Sequence, residues 1–249
     1  MTVILNTWIF EALVKQGTSQ TALMQRVADL GADGIEVRRE YFRDLPYETA
    51  AIGRLAQQLG LTVNYSVPDD VFTATGAFNP QLATYFSEGQ TMGISKIKFN
   101  TGHFDRFTGD LTAELSALPL DQIEMNVEND QTTVSGTVPA ITAFLKAAQQ
   151  ATPANIGYVY DLGNWAFTHG DAAASAQALA PYTNYIHLKN TEDQAGQLVT
   201  TADLDTGMYD WRQLLTLLPH DVPVALEYPM ETDAAITQQI QLLRAEVGD

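Results

Sequence analysis

Eight short apolar runs, with starts spaced about 30 residues apart, constrain this chain more than any other feature. They lie at Val3–Asn6, Gly34–Val37, Leu61–Tyr65, Lys96–Phe99, Ile123–Val127, Ile156–Tyr160, Tyr185–Leu188 and Val222–Leu226. Between them run segments with helical spacing and recognisable ends. Thr18 or Ser19 can cap a helix whose apolar positions are Leu23, Met24, Val27 and Leu30. Asn79-Pro80 reads as an N-cap followed by a first-turn proline, with Leu82, Tyr85 and Phe86 continuing at helical spacing. Thr137 precedes Ile141, Phe144, Leu145 and Ala148, while Asp171, Asp210 and Thr232 can cap the last three helices. The segment near Leu111–Leu118 is short and weakly patterned.

A strand–helix unit repeated this regularly favours a parallel sheet. An open doubly wound sheet usually carries a glycine-rich phosphate loop after an early strand. Here the first run continues into Asn6-Thr7-Trp8-Ile9-Phe10, with no glycine before Gly17. The expected fold is therefore α/β, a single closed (β/α)8 TIM barrel over residues 1–249, and 249 residues is an ordinary length for one. One connection stands out. About 20 residues, Asn190 to Tyr209, separate the seventh run from the next helix, and a loop of that length is expected to cover the barrel mouth.

Charged residues are 17% of the chain, and the formal net charge is −17. So acidic a surface repels phosphate backbones and anionic membranes, so neither nucleic acid nor a membrane is an expected partner. With no cysteine, disulfides, zinc-thiolate sites and thiol nucleophiles are excluded. The N-terminus lacks the pattern of a signal peptide and no stretch reaches membrane-spanning length, which leads to the expectation of a cytoplasmic protein. A homo-oligomer is compatible with the sequence.

Four successive strand ends carry side chains able to bind a metal: Glu128, Asp161, His187 and Glu227. In a closed barrel those ends meet at one rim, where the active sites of such barrels lie. A charged residue after a strand is often only the first solvated loop position, and a histidine in an apolar run is often a satisfied core residue. Four together at the same end are hard to attribute to chance. Three carboxylates and one imidazole form a mostly oxygen site suited to one Mn²⁺ or Mg²⁺, with Co²⁺ or Zn²⁺ able to compete.

The segments Gly31-Ala32-Asp33-Gly34-Ile35-Glu36-Val37, Val127-Glu128-Asn129, Asp161-Leu162-Gly163-Asn164, His187-Leu188-Lys189-Asn190 and Leu226-Glu227 resemble the xylose isomerase-like barrel family. That family comprises sugar and sugar-phosphate isomerases and epimerases, among them ketose 3-epimerases, hydroxypyruvate isomerases, inosose dehydratases and endonuclease IV. The resemblance runs over nearly the whole chain. It implies that Glu128, Asp161, His187 and Glu227, successively 33, 26 and 40 residues apart, are the metal ligands. Two positions depart from it: Asn164 stands where many relatives have His, and Asn190 where many have Asp.

By this resemblance the chain is a metal-dependent isomerase or epimerase of a small ketose or related polyol, with Glu128 and Glu227 passing a proton between opposite faces of the substrate. A dehydratase acting on a keto-polyol and a non-catalytic sugar- or metal-binding barrel are the alternatives. The expected partner is a small-molecule sugar, unphosphorylated because basic residues near the motifs are few. Lys189, two residues after His187, faces the same way; it binds either a substrate oxygen or a rim carboxylate. Asn164, Glu36, His103 and Trp8 complete the expected substrate contacts, with Glu36 alternatively paired to Arg38 or Arg39, and Trp8 and Phe10 forming an apolar wall. Asn126 is expected to orient Glu128.

Overall fold

A computed structural model describes residues 1–247. Its barrel strands are β1 (Val3–Asn6), β2 (Gly34–Arg38), β3 (Thr62–Phe72), β4 (Lys96–Gly102), β5 (Glu124–Glu128), β6 (Ile156–Asp161) and β7 (Thr183–Leu188). A hairpin of β8 (Thr191–Gln194) and β9 (Gln197–Thr200) follows, and β10 (Val224–Leu226) completes the ring. Neighbours around the barrel follow chain order and all pair in parallel; β10 closes onto β1 through Val3↔Val224, Ile4↔Ala225 and Leu5↔Leu226. The eight-stranded closed barrel read from the sequence is therefore the fold.

The helices are α1 (Glu11–Lys15), α2 (Gln20–Asp29), α3 (Leu45–Leu59), α4 (Leu82–Met92), α5 (Leu111–Ser116), α6 (Val138–Ala151), α7 (Ala172–Leu179), α8 (Trp211–Leu215) and α9 (Asp233–Val247). Ser19, Asp171 and Asp210 accept hydrogen bonds from Ala22, Ala174 and Gln213 N–H groups, as N-caps do. Asn79 instead shapes a turn, its Oδ1 accepting from Gln81 N–H, and α4 begins two residues after Pro80. Helix α3 has no counterpart among the sequence-level helices. Its buried positions include Thr49, Ala51, Ile52 and Ala56, mostly small, so its apolar stripe is faint. It is nevertheless well delimited, by an Asp44 cap and Pro46 at the start and by Gly60 at φ 70° at the end.

Strand side chains alternate between two environments. Val127, Ile186 and Leu188 face outward into the layer between barrel and helices, which holds most of the core. The inward face begins with a small apolar floor of Ile4, Val159, Tyr185 and Ala225. Above it the interior turns polar, with buried Asn6, Glu36, Asn64, Ser66, Lys98 and Asn126. Strand β3 is irregular: its pairing with β4 slips between Ser66 and Asp70, around Pro68, which has no N–H to give to a ladder. The patternless cover expected over 190–209 is in part an antiparallel hairpin, and its residues do not line the cavity at the mouth. Among the described residues no helix is long and apolar enough to cross a membrane.

Candidate metal centre

The register of the last strands brings the four strand-end side chains together. Asp161 lies beside His187 and Ala225 beside His187 on adjacent strands, while Glu128 ends β5 and Glu227 follows β10. One ligand atom from each of Glu128, Asp161, His187 and Glu227 lies within 4.8 Å of the others, and all four residues are buried. His187 is held from both sides. Its Nε2 is 3.1 Å from Glu36 Oε2, and its Nδ1 is 2.9 Å from Glu128 Oε1 and 3.1 Å from Glu227 Oε2. A proton on Nε2 directed at Glu36 leaves the Nδ1 lone pair facing the carboxylates, the tautomer a metal ligand needs.

Three cations converge on the same carboxylates. Lys98 Nζ pairs with Glu128 Oε2. Lys189 Nζ lies 2.5 Å from Asp161 Oδ2 and 3.1 Å from Glu227 Oε2, and Arg38 lies 2.8 Å from Glu227 Oε1. Asn6 Nδ2 donates to Glu36 Oε1 at 2.5 Å and to Glu227 Oε1 at 3.1 Å. Despite these close cations, Glu128 Oε1 and Asp161 Oδ2 receive no directed hydrogen bond, although both are sealed from water. Two buried anionic oxygens without a directed donor, beside an imidazole nitrogen and a third carboxylate, are a donor set that fits a hard divalent cation.

The electrostatics follow from burial and crowding. Burial pushes the Glu128 carboxyl up, but the Lys98 and His187 charges outweigh it and hold it at about 2. Burial raises Asp161, and the neighbouring Glu128 and Glu227 charges reinforce it against Lys189, leaving it at about 7. Burial opposes the charged form of His187, yet Glu36, Glu227 and Glu128 lift it well above the ordinary imidazole value. In the same way Lys189, Lys98 and His187 overcome burial and keep Glu227 well below the carboxylate range.

Above the cluster opens a cavity of about 210 Å³ lined by Trp8, Arg38, Pro68, Lys98, Asn100, Glu128, Asp130, Gln131, Asn164, Lys189 and Glu227. Of the expected substrate contacts, Trp8, Asn164 and Lys189 line it. Lys189 takes the ion-pair alternative, and its Nζ also sits 5.4 Å from the centre of the Trp8 ring. Asn164 is fixed by Nδ2 donating to Asn129 O at 2.8 Å and by Gln131 donating to its Oδ1 at 3.2 Å. Glu36 does not reach the cavity: it is fully buried behind His187 and pairs with neither Arg38 nor Arg39. His103 lines a separate, larger cavity of about 560 Å³ beside the mouth. Phe10 is packed in the core, and Asn126 donates to Glu124 rather than to Glu128.

Lys98, Asn6 and Arg38 join the centre without having been singled out by the strand-end pattern. A signal was present for Lys98: Lys96-Ile97-Lys98-Phe99 alternates, so a lysine on the face opposite Ile97 and Phe99 must point into the barrel. Asn6 ends β1 at the level of Glu36 in the same way.

No family model and no curated protein sequence matches the chain. Solved structures do. The probable 3-DHS dehydratase AsbF of Bacillus anthracis, involved in petrobactin synthesis, superposes with a TM-score of 0.73 at 16% identity over 98% of each chain. D-allulose 3-epimerase from Methylomonas sp., in complex with D-allulose, gives 0.70 at 16% identity over 99% of this chain and 97% of its own. A xylose isomerase-like TIM barrel protein from Mycobacterium smegmatis, in complex with magnesium, gives 0.64 at 16% identity over 99% and 96%. The chain thus has the fold of the xylose isomerase-like TIM barrels. At these identities the likeness is one of fold, and what the site does must be argued from its own residues.

Proposed function

We propose that this protein is a metal-dependent isomerase or epimerase of a small ketose or related polyol, working by carboxylate acid–base proton transfer. The observation that carries the reading is the convergence of Glu128, Asp161, His187 and Glu227 beneath a polar cavity. Enzymes of this fold, a dehydratase and a ketose epimerase among them, support it. Mn²⁺ or Mg²⁺ suits the three carboxylates best, and a neighbour of this fold holds magnesium.

When bound, a divalent ion polarises a substrate carbonyl and acidifies the adjoining C–H. The chain's own residues then divide the labour. Glu128, whose carboxylate borders the cavity, accepts the proton on Oε2, the oxygen that Lys98 holds in place. With a pKa of about 2 it is a weak base, so it serves only a C–H already acidified. Glu227, pinned by Asn6, Arg38, His187 and Lys189, keeps a fixed position on the opposite side; ionised at rest, it delivers to the carbon a proton relayed from the Lys189 ammonium beside it, and exchange with solvent restores Glu128 and Lys189. Trp8 and Asn164 bound the space the substrate occupies. In D₂O, protein loaded with Mn²⁺ or Mg²⁺ should incorporate deuterium next to the carbonyl of at least one member of a ketose panel, followed by NMR, and chelation should stop it. Absence of exchange across the panel in fully metal-loaded protein would overturn the reading.

Elimination of water is the second reading. It is favoured by the buried ammonium groups of Lys98 and Lys189, either of which can give a proton to a departing hydroxyl. A product lighter by one water, in place of an isomer, identifies it.

A further inference from the structure

We propose that the ketose handled here is the reacting end of a longer sugar, and that the cavity beside the mouth receives a second, uncharged sugar unit linked to it. This deepens the proton-transfer reading above and rests on it.

The cavity over the four ligands holds about 210 Å³. That is below the roughly 300–1,000 Å³ of pockets that take a ligand of several rings, so it has room for one small unit. The neighbouring cavity holds about 560 Å³ and has no part in the chemistry above. The same two segments bound both. On β4, Asn100 lines the first cavity and Gly102 the second. They lie on the same side of the strand, two residues or about 7 Å apart. Gly102, at φ 70°, is packed so closely on β3 that an added Cβ would collide with Phe72 O, so this face of the strand is bare where one cavity gives way to the other. Opposite, residues 130–136 form a loop with two working sides: Asp130 and Gln131 line the first cavity, Thr133 and Val134 the second. The loop is held firmly. Asp130 Oδ1 accepts from Thr132 N–H at 2.8 Å, and Gly136 N–H donates to Thr132 O at 2.8 Å. Ser135 Oγ accepts from Gly102 N–H at 2.8 Å, which ties the loop to β4. A sugar chain that leaves the first cavity along β4 therefore enters the second.

The lining of the second cavity suits an uncharged polyhydroxylated unit. Thr133 and Thr137 offer hydroxyls, His103 and Arg106 offer N–H groups, and Phe104 adds an aromatic surface for C–H bonds. Asp105 Oδ2 lies 3.9 Å from Arg106 Nε, so the guanidinium already has a counter-charge. His103, expected from the sequence to touch substrate yet absent from the first cavity, finds its contact in the distal unit.

The test titrates D-fructose and four glucosylfructoses, linked through O3, O4, O5 or O6 (turanose, maltulose, leucrose and isomaltulose), calorimetrically into the full chain loaded with Mn²⁺. At least one of the four should bind about tenfold or more tightly than fructose. Ala143→Trp, which fills the second cavity from an exposed position on α6, should bring that ratio back to about one. Thr133→Trp, from the exposed side of the loop, should do the same, with circular dichroism reporting the fold of each variant. No gain over fructose for any of the four, absence of binding included, overturns the proposal, and so does a gain that survives both substitutions in folded protein. Deuterium exchange on fructose alongside that result would leave the proton-transfer reading standing. A gain that both substitutions abolish, with no exchange on any of the five sugars, would sink the proton-transfer reading and leave this one.

Discussion

His187 has a carboxylate at each ring nitrogen, and this arrangement makes metal binding a proton-linked event. Without an ion its raised pKa keeps it protonated at neutral pH, and Asp161, at about 7, holds a proton over part of the same range. Both must lose their protons to coordinate. Metal affinity should therefore climb as pH rises, most steeply up to about 7, and binding should release protons. Calorimetry in two buffers of different ionisation enthalpy reads this directly; identical heats would contradict it. Glu36 sets which nitrogen carries the proton. Glu36→Gln keeps a hydrogen-bond acceptor but loses the charge, and should weaken metal binding by about 10–100-fold, measured by equilibrium dialysis. Glu128→Gln removes the proposed base and should lower turnover by about 10²–10⁴-fold with the fold intact by circular dichroism; full turnover would reassign the base.

At the scale of elements, the connection after β7 turns on Asn190. Its buried amide donates to Leu204 O and Tyr209 O, each at 2.9 Å, while its carbonyl accepts from Thr191 N–H at 2.9 Å. The departure from an acidic residue here thus serves the loop: an aspartate would turn a bare oxygen towards two carbonyls. Gly207, at φ 119°, lies so close that an added Cβ would meet Asn190 Cγ at 2.6 Å. Asn190→Ala should cost about 1–3 kcal/mol through the carbonyls left unsatisfied, seen as a lowered denaturant midpoint. The same scale shows what the sequence makes legible. Barrel strands announce themselves because they are buried on both sides and end in chemistry, as Tyr185–Leu188 and Ile156–Asp161 do. Helix α3 does not, since alanine and threonine carry little hydrophobic contrast. The ligand residues were visible as strand ends. The partners of those ligands were not, because Lys98 and Glu128 are 30 residues apart and meet only through the register of neighbouring strands, and Glu36 and His187 are 151 residues apart and meet only across the closed barrel.

For the whole molecule, an ion joining four strands should act as a clamp. Mn²⁺ at 100 times its dissociation constant would add about 2.7 kcal/mol of stability. For a chain of this size that corresponds to a rise of roughly 5–10 °C in melting temperature. Scanning calorimetry with and without chelator measures it, and an unchanged melting temperature in protein shown to bind Mn²⁺ would mean that the ion leaves the fold's stability untouched. The scale of the molecule also governs where variation is tolerated. The layer outside the strands is built of interlocking apolar side chains, whereas the polar interior contributes function at a cost in buried hydrogen-bonding groups, Asn64, Ser66 and Asn126 among them.

The pairing of β1 with β10 also sets a schedule. The ring closes between Val3–Asn6 and Val224–Leu226, so it cannot close until the later strand has left the ribosome, and Glu227 lies just past that closing strand. Three of the four ligands have been synthesised by residue 187, and the fourth follows 40 residues later, about 2–8 s at ordinary elongation rates. Throughout that interval Lys98 and Lys189 can already neutralise Glu128 and Asp161. The same lysines that face the finished cavity are thus available as chaperones of charge for the unfinished one.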